Sequence, residues 1–112
     1  APILALARRF LEDQGYTVMT ARTPMEAIGQ VHEFQGPIHL LLTDVVMPGM
    51  NGKQLQSRIV EMRPDIRTIF MSGYTADVIA KRGVLEEDVE FVQKPFTMNT
   101  LTHRVREVLD NR

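Results

Sequence analysis

Cysteine is absent from the 112-residue chain. Disulfides, cysteine-based zinc sites and thiol catalysis are therefore excluded. Neither sign of charge is in excess: thirteen basic residues stand against fourteen acidic ones, a formal charge of −1. That balance gives no support for binding nucleic acid or a membrane surface through bulk charge. No apolar run approaches the ~20 residues of a membrane helix, and no signal-peptide pattern opens the sequence. Internal repeats, linkers and low-complexity segments are missing too. What is there is ordinary for a globular protein: 44% hydrophobic and 24% charged residues, enough for one domain over 1–112 and too few for two. The expectation is a cytoplasmic protein, or the cytoplasmic domain of a larger one.

Periodicity gives the elements. Ile3, Leu4, Ala7, Phe10 and Leu11 recur at helical spacing opposite Arg8, Arg9, Glu12 and Asp13, so a helix runs from about Pro2 to Gln14 and stops at Gly15. Tyr16 to Ala21 is short and β-rich and reads as a strand. Thr23-Pro24-Met25-Glu26 matches a capping box with proline at the first helical position. The helix it opens turns Ala27, Ile28, Val31 and Phe34 inward and ends before Gly36-Pro37. Ile38 to Thr43 is a strand. Leu55, Ile59 and Met62 line a third helix ended by Pro64. Thr68 to Met71 is a strand, followed by the loop Ser72-Gly73-Tyr74-Thr75 and a weak helix over 76–82 stopped by Gly83. Glu90 to Gln93 is the last strand; Lys94-Pro95 breaks it. Thr97 caps a final helix with Leu101, Val105 and Val108 inward. A helix followed by four strand–helix pairs with short links implies parallel strands joined by right-handed crossovers. A chain that opens on a helix suggests that a preceding strand is absent.

The stretch His39 to Gly52, HLLLTDVVMPGMNG, organises the rest. Leu40 to Leu42 is a short continuous apolar run, which fits a strand buried on both faces of a parallel sheet. It ends in one acid, Asp44, and a loop with Pro48, Gly49 and Gly52 follows. Ligands of such sheets gather beyond the carboxyl ends of the strands. Taken alone, Asp44 reads more readily as a loop residue capping the helix that begins near Gly52, because aspartate is common at strand ends. Ser72 and Lys94 fall at the carboxyl ends of the next two strands. Parallel strands bring those ends to one edge, so a carboxylate, a hydroxyl and an ammonium would face one another. Such a trio suits phosphoryl transfer, with the carboxylate as nucleophile and the other two stabilising phosphoryl oxygens. Singly, Ser72 is a common turn residue and Lys94 a common surface lysine.

DVVMPGMNG, then MSGY, then QKPF, in this order and spacing, resemble the receiver domain of two-component response regulators. The resemblance covers essentially the whole chain. It implies a flavodoxin-like α/β fold, a doubly wound parallel sheet of order 2-1-3-4-5, with the first strand absent from this chain. It implies that Asp44 accepts a phosphoryl group from a phosphohistidine, and that Lys94 pairs with the phosphoryl oxygens or with Asp44. By the same resemblance Pro95 corresponds to a cis-proline, Ser72 is the hydroxyl that bonds a phosphoryl oxygen, and Phe91 is the switch aromatic. Phe91 also reads as an ordinary core residue. Mg²⁺ is the implied cofactor, held by Asp44 and the Val46 backbone carbonyl. The implied partner is a sensor histidine kinase or its phosphotransfer domain, with a homodimer left open.

The sequence departs from the family in one respect. Receivers place an acidic pair at the end of their first strand, and no acid stands upstream of Ala1. Glu12 and Asp13 lie at the far end of the first helix, roughly 15 Å away at about 1.5 Å per residue. This segment is therefore expected to bind Mg²⁺ poorly, because Mg²⁺ wants several hard oxygen ligands. Truncation or disorder of an N-terminal strand is the favoured explanation, since a missing central strand would expose unpaired edges. Apolar Val46 cannot orient a water, so the acyl phosphate is expected to be long-lived. Two rival readings remain. A haloacid dehalogenase-like phosphohydrolase would need an acid where Val46 stands. A phosphorylation-independent pseudo-receiver would fit the missing acids but not the retained Asp44, Ser72 and Lys94. The stretch from Ser72 to Phe96 is similar to receivers of hybrid sensor kinases, and a stand-alone regulator is equally compatible. His32, His39 and His103 have no metal-ligand spacing and receive no role.

Overall fold

The computed structural model describes residues 2–45, 49–72 and 90–110. In chain order its elements are α1 (Pro2–Asp13), α2 (Pro24–Glu33), β1 (Leu40–Asp44), α3 (Gly52–Met62), β2 (Arg67–Ser72), β3 (Phe91–Gln93) and α4 (Met98–Asp110). The expected helix over 76–82, the Gly73-Tyr74-Thr75 loop and residues 46–48 lie outside the described residues.

The three strands are parallel, in the order β1-β2-β3. Asp44 stands opposite Met71, and Ser72 opposite Gln93, so all the carboxyl ends lie along one rim. Side chains alternate across the sheet. Leu40, Leu42, Ile69 and Val92 meet one apolar layer with Ala7 and Leu11 of α1 and Leu101, Val105 and Val108 of α4. Leu41 turns the other way, onto Val31 of α2 and Leu55 and Ile59 of α3. Helices thus cover both faces, the doubly wound arrangement that the continuous leucine run predicts.

Residues 16–21 form no strand, contrary to the periodicity. A strand is defined by its ladder, and no described strand lies beside this segment to supply one. Tyr16 and Val18 still pack against the α1–α4 layer, and the Thr20 carbonyl accepts a hydrogen bond from Gln30 Nε2 at 2.8 Å. The apolar character of the segment is therefore used in packing without strand pairing.

The caps explain where the helices begin and end. Gly15 has φ +97°, a left-handed conformation that glycine adopts without Cβ strain. Its N–H donates to the Glu12 carbonyl and that of Tyr16 to Leu11, which closes α1 in a Schellman motif. Thr23 Oγ1 accepts from the Glu26 N–H at 3.1 Å, but Glu26 Oε1 faces Gln30 Nε2 at 3.4 Å, so only half of the expected capping box forms. The full reciprocal box belongs instead to Asn51 and Gln54 at the start of α3. Thr97 Oγ1 accepts from the Thr100 N–H and caps α4 as expected. Phe34 does not join the core. It is the residue that ends α2, 36% exposed, with its ring over Gly36.

Arg63, just past α3, fastens α2 to α3. Its Nη1 donates to the Gly36 carbonyl at 2.6 Å, and Nη2 to the carbonyls of Phe34 at 2.5 Å and Val31 at 3.2 Å. These are carbonyls at a helix C-terminus, where an arginine charge is also favoured by the helix dipole. Arg63→Met should cost about 2 kcal/mol in urea denaturation, the range for hydrogen bonds to a charged group. Arg58→Met, on the exposed side of α3, should change stability by less than about 0.5 kcal/mol.

Candidate functional site

The rim is assembled by backbone contacts that fix each strand end against its neighbour. The Val45 N–H donates to the Met71 carbonyl at 2.9 Å, and the Lys94 N–H to the Ser72 carbonyl at 2.7 Å. Asp44 is the last residue of β1, Ser72 the last of β2, and Lys94 follows directly after β3. The bond between Lys94 and Pro95 is cis, as the resemblance implies.

Lys94 Nζ lies 2.6 Å from Asp44 Oδ1. Oδ1 is enclosed and accepts no well-angled hydrogen bond, so charge rather than hydrogen-bond geometry holds the pair. The Asp44 side chain is nevertheless 40% exposed, and with Oδ1 enclosed that exposure falls on the rest of the carboxylate. The Lys94 side chain is 33% exposed. One oxygen of the acid is thus committed to the ammonium, while part of the group stays open at the rim.

Asp44 is not a helix cap. Asn51 caps α3, which removes the alternative reading of the acid. Lys94 is not a solvated surface lysine. Ser72 is 5% exposed, buried at the end of β2. Phe91 is half-buried on β3 opposite Phe70, and belongs to neither buried cluster. Val46 lies outside the described residues.

Two contacts at the acid had no signal in residue spacing. Thr43 Oγ1 donates to the Asp44 carbonyl at 3.0 Å, and Thr43 is 5% exposed. The Gly52 N–H donates to the Val45 carbonyl at 2.7 Å, so the loop returns directly onto the strand end that carries Asp44. The sequence marks Gly52 as a loop glycine; only the fold shows what it rests against.

The described residues do not by themselves fit Mg²⁺. They hold no cluster of three or more histidine or acidic side chains able to take a metal. Asp44 offers one carboxylate, and the Lys94 ammonium already stands against one of its oxygens. A Mg²⁺ ion needs near-octahedral oxygen ligation. Among the described residues no helix is long and apolar enough to cross a membrane.

A parallel α/β sheet with an acid and a lysine in contact at its carboxyl rim is the arrangement expected of a flavodoxin-like receiver. The family model for the response regulator receiver domain matches residues 1–106, and the chain belongs to that family. The chain is 33% identical over 106 residues to the response regulator receiver protein CpdR of Brucella abortus (strain 2308), covering 91% of this chain and 87% of that protein. It is 36% identical over 102 residues to the sensor kinase CckA of the same organism, covering 91% of this chain but only 11% of the kinase. Among solved structures, a response regulator receiver protein from Sinorhizobium medicae WSM419 superposes with TM-score 0.82 at 25% identity, covering 99% of this chain and 88% of that one. The receiver domain of the hybrid histidine kinase CckA gives TM-score 0.77 at 33% identity, covering 94% and 87%.

An ion pair this open to solvent contributes little to folding, because water screens the attraction. Lys94→Met should therefore change unfolding free energy by about 1 kcal/mol or less in urea denaturation. A loss several times larger would mean that the lysine holds the fold rather than the site.

Proposed function

We propose that this receiver is a phosphorylation switch, with Asp44 as its phosphoacceptor. The observation that carries the reading is the 2.6 Å contact between Lys94 Nζ and Asp44 Oδ1 at the strand rim. A carboxylate oxygen of Asp44 attacks the phosphorus of a phosphohistidine, the phosphorus–nitrogen bond breaks, and the imidazole leaves with the bonding electron pair. Lys94 holds the acid with one oxygen turned inward, and its charge then stabilises the oxygens of the phosphoryl group. Phosphorylation replaces the single charge of the Asp44 carboxylate with a phosphoryl group carrying about −1.5 to −2, so the rim becomes more negative. The Ser72 hydroxyl is assigned to a phosphoryl oxygen and Phe91 to a change of rotamer, which together alter the surface of β3 and α4. Residues 1–112 belong to a single receiver domain that is N-terminally incomplete in this sequence. Its donor is a sensor histidine kinase or the kinase's phosphotransfer domain, and the receiver itself is cytoplasmic. Mg²⁺ is the family's cofactor, and Asp44 would be its ligand among the described residues.

Acetyl phosphate tests this without a cognate kinase. The natural polypeptide that carries this sequence, incubated with acetyl phosphate and MgCl₂, should gain the mass of one phosphoryl group. Asp44→Asn should gain none. No phosphorylation of the wild type, with the fold intact by circular dichroism, would leave the phosphorylation-independent pseudo-receiver as the better reading. Catalytic release of phosphate with no stable adduct would favour a phosphohydrolase.

A further inference from the structure

Gly52 lies against the strand end that carries the acid. A Cβ built at Gly52 would fall well inside van der Waals contact with the Asp44 carbonyl oxygen, 3.1 Å from the carbonyl carbon and 3.2 Å from Val45 Cα. Its conformation is not the reason for glycine, because the positive-φ glycines are Gly15 and Gly49. The reason is the close approach of two pieces of backbone. The first turn of α3 lies directly on the end of β1, joined to it by the hydrogen bond from Gly52 to Val45.

We infer that Gly52 is a positioning residue for the phosphoacceptor: its lack of a side chain sets how far Asp44 reaches toward Lys94. On the α3 side, Leu55 is 3% and Ile59 0% exposed, both within the apolar layer, and Arg63 ties the far end of the helix to α2. With the helix held, a methyl group at position 52 presses on the strand end that carries Asp44, because the nearest atoms it meets belong to Asp44 and Val45. Relieving the overlap takes a displacement on the order of 1 Å, judged from ordinary heavy-atom contact distances. A shift of that size breaks a 2.6 Å charge contact and misaligns a nucleophile, which costs about 10²-fold in rate.

The functional half of this inference rests on Asp44 being the phosphoacceptor; the structural half does not. The test compares Gly52→Ala with two reference variants in the full natural polypeptide. Gly29→Ala lies in α2, where an added Cβ meets nothing within 4 Å. Leu55→Ala loosens the same helix from its buried side and leaves the contact with Asp44 untouched. In each background the ¹³C resonance of the Asp44 carboxyl carbon is measured with and without Lys94→Ala, at a temperature where circular dichroism shows the protein folded. Removing Lys94 should shift that resonance fully in wild type, Gly29→Ala and Leu55→Ala, and by less than half as much in Gly52→Ala. Phosphorylation by acetyl phosphate should fall about 10- to 10²-fold in Gly52→Ala. If Gly52→Ala is unfolded in buffer, the comparison is made in trimethylamine N-oxide, which favours the compact state. A full Lys94-dependent shift in folded Gly52→Ala overturns the inference, as does an equal loss in Leu55→Ala, which would mean general loosening. Wild type that shows the shift but takes no phosphoryl group sinks the phosphoacceptor reading and leaves the positioning role standing.

Discussion

The parallel direction of the strands is the constraint on which everything else depends. Asp44 and Lys94 are far apart in sequence, and neither is remarkable among its neighbours. They meet because each terminates its strand in the same sense, and backbone hydrogen bonds from Val45 to Met71 and from Lys94 to Ser72 lock the ends in step. Reversing one strand would send its terminal residue to the opposite edge. Parallel strands in turn require crossovers that lay helices on the faces, which is why the leucines of β1 can be apolar on both sides.

The acid–lysine contact is close but not deeply buried. That combination suits the phosphoacceptor role proposed for Asp44, in which another protein's histidine would have to reach the acid. A fully enclosed pair would incur a desolvation cost and exclude the donor, whereas a fully solvated one would not hold the acid in a fixed orientation. The structure divides the carboxylate between these needs, with one oxygen enclosed against Lys94 and the rest of the side chain at the surface.

Much of this was legible in the residues. The leucine run, the acid ending it, and the Thr23, Thr97 and Gly15 caps each carry a local physical signal, and each stands where its signal puts it. The strand expected at 16–21 failed for a non-local reason: a ladder belongs to two strands, and β propensity describes only one. Helical phase points Phe34 inward, but α2 ends before it and the ring folds over Gly36 instead. The Thr23–Glu26 spacing predicts a capping box, but the Glu26 side chain has a competing partner in Gln30, and the box forms instead between Asn51 and Gln54 in the first turn of α3. The closeness of Gly52 to Asp44 was invisible for a further reason. Spacing marks where a glycine stands in the chain, but not which backbone will be pressed against it.

Both helical layers are attached to the sheet by apolar burial, and the α4 side carries an ion pair besides. Arg104 of α4 reaches Glu90 at 2.6 Å, just ahead of β3, with side chains 32% and 43% exposed. The α2–α3 side relies on apolar burial and on an arginine bonded to neutral carbonyls. Dissolved ions screen opposite charges at a surface far more than they disturb buried hydrocarbon. Ionic strength therefore acts unevenly across this small protein: it weakens the added charge contact of α4, while the hydrocarbon beneath α4 and that of the α2–α3 side stay held.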